Sequence, residues 1–193
     1  MRIRTIALAS GVLAASLLLA GCSNSTGAMP MGETSSPSQT ATAAFNDADV
    51  DFAKNMVAHH TQAIEMAEML LSKENIDPQI VELAKNIKAA QGPELDTMNG
   101  WLDAWGSGGM NGMDHGMSGT MSEGDMAALK AASGVDASRL FLAQMTVHHQ
   151  GAIDMAEIEI RDGENTDAIA LAEMIISDQT AEIGLMERIL ATL

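Results

Sequence analysis

The chain has 193 residues, of which 47% are hydrophobic and only 3% aromatic, and it carries a formal net charge of −16. Such an acidic surface excludes nucleic acid and anionic lipid headgroups as direct partners. A single Cys excludes an intrachain disulfide and a cysteine-based zinc site. The unusual number is 16 Met, because Met serves either as flexible core filler or as a soft metal ligand.

The N-terminus carries the pattern of an export signal. Arginines precede the apolar run Ile6–Leu19, which is too short for a comfortable permanent membrane span. The run ends in Leu19-Ala20-Gly21-Cys22, which resembles a bacterial lipobox. The resemblance implies a lipoprotein signal peptide over 1–21, a lipid anchor on Cys22, and a place in the cell envelope facing outside the cytoplasm. The alternative is an ordinary secretory signal with an incidental Cys.

A predicted flexible tether over 22–45, rich in Ser, Thr, Gly and Pro, leads into one predicted helical domain over 46–193. This domain contains an internal repeat, in which Met56–Glu68 aligns with Met145–Glu157. A Gln-x-x-Glu-x-x-x-Met element follows in both halves, as Gln91, Glu94 and Met98 and as Gln179, Glu182 and Met186. We predict an all-α four-helix bundle made of two repeated helix pairs, with repeat one at 46–105, a Gly- and Met-rich central connection at 106–121, and repeat two at 122–193.

Residues that favour helix N-termini stand before each predicted helix. In chain order they are Asn46 with Asp49, Asp77 before Pro78, Ser122 with Asp125 for a short extra helix to about Ala132, Asp136, and the turn 162–165. One local conflict remains, because Gly92-Pro93 falls inside the second long helix. Pro93 has no backbone donor, so we expect a kink or break there.

Polar residues fall on the apolar faces of these helices. Drawn as a helix, the segment Met56–Glu68 puts both His59 and His60 on its apolar stripe, and the second copy does the same with His148 and His149. The partner helices place a Gln and a Glu on their own apolar faces in the same way. Burying a carboxylate without a partner is costly, so the core has to supply His, Gln or a metal ion as partners.

Two interpretations of this buried polar set stay open. In one, the carboxylates accept hydrogen bonds from His and lock the bundle as a structural network. In the other, imidazoles and thioethers bind a metal, while the carboxylates orient an imidazole or ligate directly. The candidate ligands inside the bundle are Met56, His59, His60, Met66, Glu94, Met98, Met145, His148, His149, Met155, Glu182 and Met186, with Gln91 and Gln179 expected beside them.

The central connection is a second stretch rich in possible ligands. Thioethers suit Cu(I) and Ag(I) and are poor ligands for hard cations, whereas imidazole accepts copper in either oxidation state. The alternative is a low-complexity spacer. The candidate ligands here are Met110, Met113, His115, Met117 and Met121.

The doubled His-His-x-x-Ala-x-x-Met-Ala element, at His59–Ala67 and His148–Ala156, resembles the bacterial "domain of unknown function 305" family. So do the two Gln-x-x-Glu elements. The resemblance covers 46–193 and implies a ferritin-like helical bundle exported to the envelope. It also implies a link to copper binding and resistance, which is known for some members of the family.

The expected function is therefore sequestration or handover of copper, as Cu(I) or Cu(II), or of Ag(I), by a membrane-anchored protein that is not an enzyme. One alternative is a metal-free envelope scaffold or partner-binding lipoprotein. Another is a di-iron-type ferritin-like oxidoreductase. That class needs Glu-x-x-His on inward helix faces, and this sequence contains no Glu-x-x-His.

Overall fold

The computed structural model describes residues 44–108 and 118–193, and within them every regular element is a helix. The helices are α1 (Asp47–Leu71), α2 (Pro78–Ala104), α3 (Glu123–Ala131), α4 (Gly134–Asp162) and α5 (Thr166–Leu190). The predicted all-α bundle of two helix pairs is confirmed. None of the helices described here is long and apolar enough to cross a membrane. Cys22, at which a lipid anchor is predicted, lies outside the described residues.

Local side-chain chemistry explains where the helices begin. Asn46 forms a capping box with Asp49, in which the Asn46 side chain accepts from the Asp49 amide and the Asp49 carboxylate accepts from the Asn46 amide. Ser122 and Asp125 form the same box for α3. Asp77 caps α2 directly before Pro78, and the Asn165 side chain caps α5. These four predicted starts are confirmed.

One prediction about a helix boundary is wrong, and a second is wrong in part. Asp136 does not cap α4, because that helix already begins after Ser133, and Asp136 lies in its first turn. There its negative charge still faces the positive end of the helix dipole. Of the kink or break expected at Pro93, the break is not observed, since α2 continues to Ala104, and the kink stays a prediction. Pro93 and Ala89 are both exposed, so water can satisfy the Ala89 carbonyl that lacks its usual donor.

The core is divided into two apolar clusters at opposite ends of the bundle. The Phe52 cluster includes Phe52, Met56, Met98, Ala156 and Ile175, and the Phe141 cluster includes Met66, Ile87, Phe141, Met145 and Met186. Each cluster combines one end of every long helix, and α1 runs antiparallel to α4. The helices α1 and α4 pack against each other, α2 packs on α1, and α5 packs on α4. The middle of all four long helices therefore lies between the two clusters.

A pair of buried carboxyl groups ties the start of α1 to the turn between α4 and α5. The Asp49 carboxylate accepts from the backbone amides of Asn46 at 2.6 Å and Asn165 at 2.8 Å. Burial opposes ionisation of Asp49, but these donors outweigh it and leave its pKa lowered. Glu159 is also fully buried. Its burial, followed by the nearby Asp49, raises the pKa of Glu159 to about 8.

This raised pKa predicts that Glu159 makes stability fall as pH rises. The folded protein keeps a proton on Glu159 that the unfolded chain releases above its ordinary pKa of 4.5, so the contribution is full below that pH and is lost as pH approaches about 8. Glu159→Gln keeps a neutral side chain at every pH and should flatten this part of the profile. Urea unfolding at about pH 5.5 and about pH 8.5 measures the difference.

Glu157→Gln is the matched control, because Glu157 is an exposed glutamate on the same helix. The control should retain the wild-type loss of stability between the two pH values. An unchanged slope in Glu159→Gln would show that the buried carboxyl is not protonated in the folded state.

Candidate metal centre

Four histidines form a polar layer between the two apolar clusters. His59 and His60 come from α1, His148 and His149 come from α4, and all four are fully buried. In each helix the pair follows a buried Met and precedes a buried Ala, so the chain returns from polar to apolar packing within one turn. The predicted burial of the histidines is confirmed. The layer contains two kinds of histidine, which differ in their partners.

The outer pair consists of His60 and His149, and each member contacts a glutamate of the partner helix. The His60 Nε2 to Glu94 Oε2 distance and the His149 Nε2 to Glu182 Oε2 distance are both 2.7 Å. The two glutamate side chains are 19% and 22% exposed, so water still reaches them. Pro93 therefore does not disturb Glu94, which reaches its histidine as closely as Glu182 does.

The inner pair consists of His59 and His148, which contact each other across the α1–α4 interface. Their ring centroids are 3.6 Å apart and their planes are tilted by 35°. In the described part of the chain, neither nitrogen of either ring makes a hydrogen bond of normal geometry. Buried polar atoms nearly always have a partner, and leaving one unpaired costs free energy. The stability of the fold therefore does not explain why two adjacent rings are buried with four unpaired nitrogens.

Burial keeps the inner pair neutral. Burial first, and then the neighbouring His60 and His149, lower the pKa of His59 to about 3. Burial first, and then the adjacent His59, hold the pKa of His148 well below its ordinary value. Both rings are thus uncharged at physiological pH and have a lone pair available. A neutral imidazole with a free lone pair is the form that binds metals.

The outer pair is also prepared for a ligand. If Nε2 of His60 and His149 donates to the glutamate, Nδ1 is left as the nitrogen with the lone pair. Both Nδ1 atoms are buried and have no hydrogen-bond partner among the described residues. A carboxylate that fixes the tautomer of a histidine is the usual partner of a metal-bound imidazole. The amide oxygens of Gln91 and Gln179 are also buried and unpaired within the described chain.

The candidate methionines flank the histidine layer on both sides. Met56 and Met98 belong to the Phe52 cluster, and the half-buried Met155 packs against it. Met66, Met145 and Met186 belong to the Phe141 cluster. All of them are therefore core residues, and their apolar packing accounts for their burial. Their role as ligands stays a prediction.

No group of three His, Cys, Asp or Glu side chains within residues 44–108 and 118–193 is already arranged to hold one metal ion. Any ion would therefore need rotation of the imidazoles or a sulfur ligand. Of the linker candidates, Met121 is half-buried, and its backbone exchanges two hydrogen bonds with the Gln62 side chain. The other four, Met110, Met113, His115 and Met117, lie outside the described residues.

Sequence reasoning missed two residues beside the inner pair. Gln62 and Gly151 occupy equivalent positions in the repeat, each one helical turn after an inner histidine, and both contact the end of the linker. The signal was present in the alignment, because the repeat changes from Gln to Gly at this position. Sequence reasoning also missed Glu159. Its equivalent in repeat one is the apolar Leu70, so the repeat alignment contained the signal.

Comparison with known proteins places this fold in a family. The model of the family described as domain of unknown function 305 (DUF305) matches residues 49–190. The chain belongs to the DUF305 family. No curated protein matches it significantly.

Solved DUF305 structures share the fold. A DUF305 protein of Streptomyces coelicolor, provisionally described as secreted, is 31% identical with a TM-score of 0.69, over 75% of this chain and 93% of that one. A DUF305 fragment from Deinococcus radiodurans is 30% identical with a TM-score of 0.70, over 77% and 98%.

A further neighbour has been solved with metal ions. CopM in its Cu(I)-bound form is 32% identical with a TM-score of 0.65, over 75% of this chain and 96% of that one. CopM is also known in Cu(II)-bound and Ag-bound forms. The family and the bundle predicted from the sequence are thus confirmed.

The two kinds of histidine predict opposite effects on stability. His148→Leu replaces an unpaired buried ring by an apolar side chain, and should raise the free energy of unfolding of the metal-free protein by about 1 kcal/mol or more. His149→Leu is the matched control, because it removes the partner of Glu182 and should lower stability. Urea unfolding at neutral pH measures both. A loss in His148→Leu as large as in His149→Leu would mean that the inner ring stabilises the fold.

Proposed function

We propose that this protein is a lipid-anchored, extracytoplasmic protein that binds copper or silver ions and sequesters them or hands them on. The observation that carries the proposal is the inner pair, in which two buried neutral imidazoles contact each other and have no hydrogen-bond partner of normal geometry among residues 44–108 and 118–193. A protein that needed these residues only for packing would be more stable with apolar side chains there. Their retention is explained if the lone pairs serve a ligand.

The donor set favours soft monovalent ions. Imidazole nitrogens lie in the middle of the bundle, and thioether sulfurs flank them in both clusters. Cys is absent from the described residues, so thioether and imidazole are the soft donors in this part of the chain. Cu(I) and Ag(I) accept linear and trigonal coordination by such ligands. The copper- and silver-bound forms of CopM support the same choice.

Loading requires a local change of side-chain conformation. The two rings contact each other face to face with a tilt of 35°, and lone pairs lie in the ring planes, so one nitrogen from each ring has to rotate toward a common ion. The cost is modest, because no hydrogen bond of His59 or His148 within the described chain has to be broken. The bonds of His60 to Glu94 and of His149 to Glu182 can stay in place during loading, since they use Nε2 and leave Nδ1 free.

The proposed location follows from the N-terminal sequence. The lipobox-like Leu19–Cys22 would place a lipid on Cys22, and residues 22–45 would connect the anchor to the bundle. The likeness to a Streptomyces coelicolor protein described as secreted supports export. We propose binding and transfer as the activity, and no catalytic step is needed for it.

A metal-free scaffold is the second candidate. The glutamate contacts of the outer pair favour it, because they are the hydrogen bonds that a structural network would contain. The inner pair does not fit this candidate. A scaffold predicts a purified protein without copper or silver and no thermal shift with either ion.

The proposal predicts that the second histidine pair contributes to binding. The double variant His148→Ala and His149→Ala should bind less Cu(I) and Ag(I) per chain and keep its helix content by circular dichroism. Equilibrium dialysis against Cu(I), Cu(II), Ag(I), Zn(II) and Fe(II) in parallel measures the stoichiometry. The matched control is Val147→Ala, since Val147 is exposed on the same turn.

The control should bind as the wild type does. Unchanged stoichiometry in the double variant would exclude a role for His148 and His149. A wild-type protein that binds none of the five ions would support the scaffold.

A further inference from the structure

The linker ends in a short segment, Ser118–Met121, that crosses the surface of the bundle before α3 begins; we call it the strap. One end of the strap is held by α1. The Gln62 amide donates to the Met121 carbonyl at 2.9 Å, and the Met121 amide donates to the Gln62 side-chain oxygen at 2.7 Å. A single side chain thus satisfies both backbone groups of Met121, as a neighbouring strand would.

The other end of the strap is held by α4. The Ser118 hydroxyl donates to the Asp154 carboxylate at 3.0 Å. Gly119 adopts a φ of +76° and packs directly on Gly151. A Cβ added at Gly151 would overlap the Ser118 carbonyl and lie 2.6 Å from the Gly119 Cα. This approach of two backbones is possible only with glycine at both positions.

The strap lies next to the inner histidine pair. Gln62 stands one helical turn after His59, and Gly151 stands one turn after His148, so the strap spans the α1–α4 interface at that level. The Ser118 backbone lies near the His59 ring. Ser118 itself is exposed. The strap therefore separates the inner pair from solvent on this face.

Other residues occupy the remaining directions around the inner pair. The Phe52 and Phe141 clusters lie along the bundle axis on either side. The outer histidines and their glutamates lie toward α2 and α5. The strap is held by hydrogen bonds, by the contact between Gly119 and Gly151, and by the half-buried Met121, which packs against the Phe141 cluster. Water can replace the hydrogen bonds, so the Ser118–Gly119 part can lift from α4 without unfolding the bundle, while Met121 keeps the other end anchored.

We propose that the strap is a removable cover and that ions reach His59 and His148 by displacing it. The proposal rests on the proposed function for the identity of the ligand. The cover itself is a property of the metal-free protein. Gln62 and Gly151 are then positioning residues that set how often the inner pair is accessible.

The test uses Gly151→Ala in the metal-free full-length protein. The new Cβ forces the Ser118 carbonyl away, whereas Ala is favourable in a helix, so α4 itself is not weakened. Diethyl pyrocarbonate modifies neutral imidazoles that solvent reaches, and mass spectrometry assigns each modified histidine. We expect the modification rate of His59 and His148 to rise about tenfold in Gly151→Ala. Gly92→Ala is the matched control, because a Cβ there meets nothing within 4 Å, and its rate should equal the wild type.

A second variant keeps the test decisive if Gly151→Ala fails to fold. Gln62→Ala releases the α1 end of the strap without touching α4, and it should also raise the rate. A wild-type rate in every folded strap variant overturns the proposal. An equal rise in Gly92→Ala also overturns it, because the inner pair would then be exposed by general opening of the bundle.

A separate measurement keeps this proposal distinct from the metal-binding function. Release of Ag(I) from the loaded protein to a competing chelator should be faster in Gly151→Ala than in the wild type, by a factor similar to the rise in the modification rate. If the wild type binds no Ag(I), the proposed function fails, and the modification rates still decide the strap. If Ag(I) binds but is released from the wild type and all variants at the same rate, the strap does not control access.

Discussion

The structure depends on the burial of four imidazoles as one layer between two apolar clusters. Placing polar rings at the centre of a bundle is unfavourable unless each ring has partners. The outer pair has Glu94 and Glu182 as partners, whereas the inner pair has no hydrogen-bond partner in the part of the chain that the structure describes. The bundle thus gives up some stability at its centre. This loss is tolerable because the apolar clusters on both sides are continuous across the helices.

The internal repeat explains why the layer is nearly symmetric and where it is not. Both halves supply two histidines, a glutamine and a glutamate, and the two glutamate contacts have the same length of 2.7 Å. The halves differ at Gln62 and Gly151, which are equivalent positions of the repeat. Both residues contact the end of the linker, which crosses the bundle on that face. The halves also differ at Glu159, which stands where repeat one has Leu70 and forms the buried pair with Asp49. The repeat thus accounts for the layer, and the difference between Gln62 and Gly151 accounts for the strap on one of its faces.

Much of this could be predicted from the sequence, because it follows from periodicity and local chemistry. Helical spacing placed all four histidines on apolar faces, and capping residues such as Asn46 and Asp77 marked the helix starts. The sequence could not distinguish the inner from the outer pair, because that depends on which helix faces which. It also could not tell a kink from a break at Pro93; the helix does not break, because the residue whose carbonyl loses its donor is exposed to water. The strap escaped prediction because it depends on a contact between two glycines far apart in the chain.

The most direct test of the central claim is long-range ¹H–¹⁵N NMR of the histidine rings before and after one equivalent of Ag(I) is added. The account predicts that the ring nitrogens of His59 and His148 are neutral in the metal-free protein and shift to metal-bound positions on loading, while the Nε2 atoms of His60 and His149 keep their bonds to glutamate. If the inner rings do not respond, and only His115 or no histidine shifts, the inner pair is not the binding site.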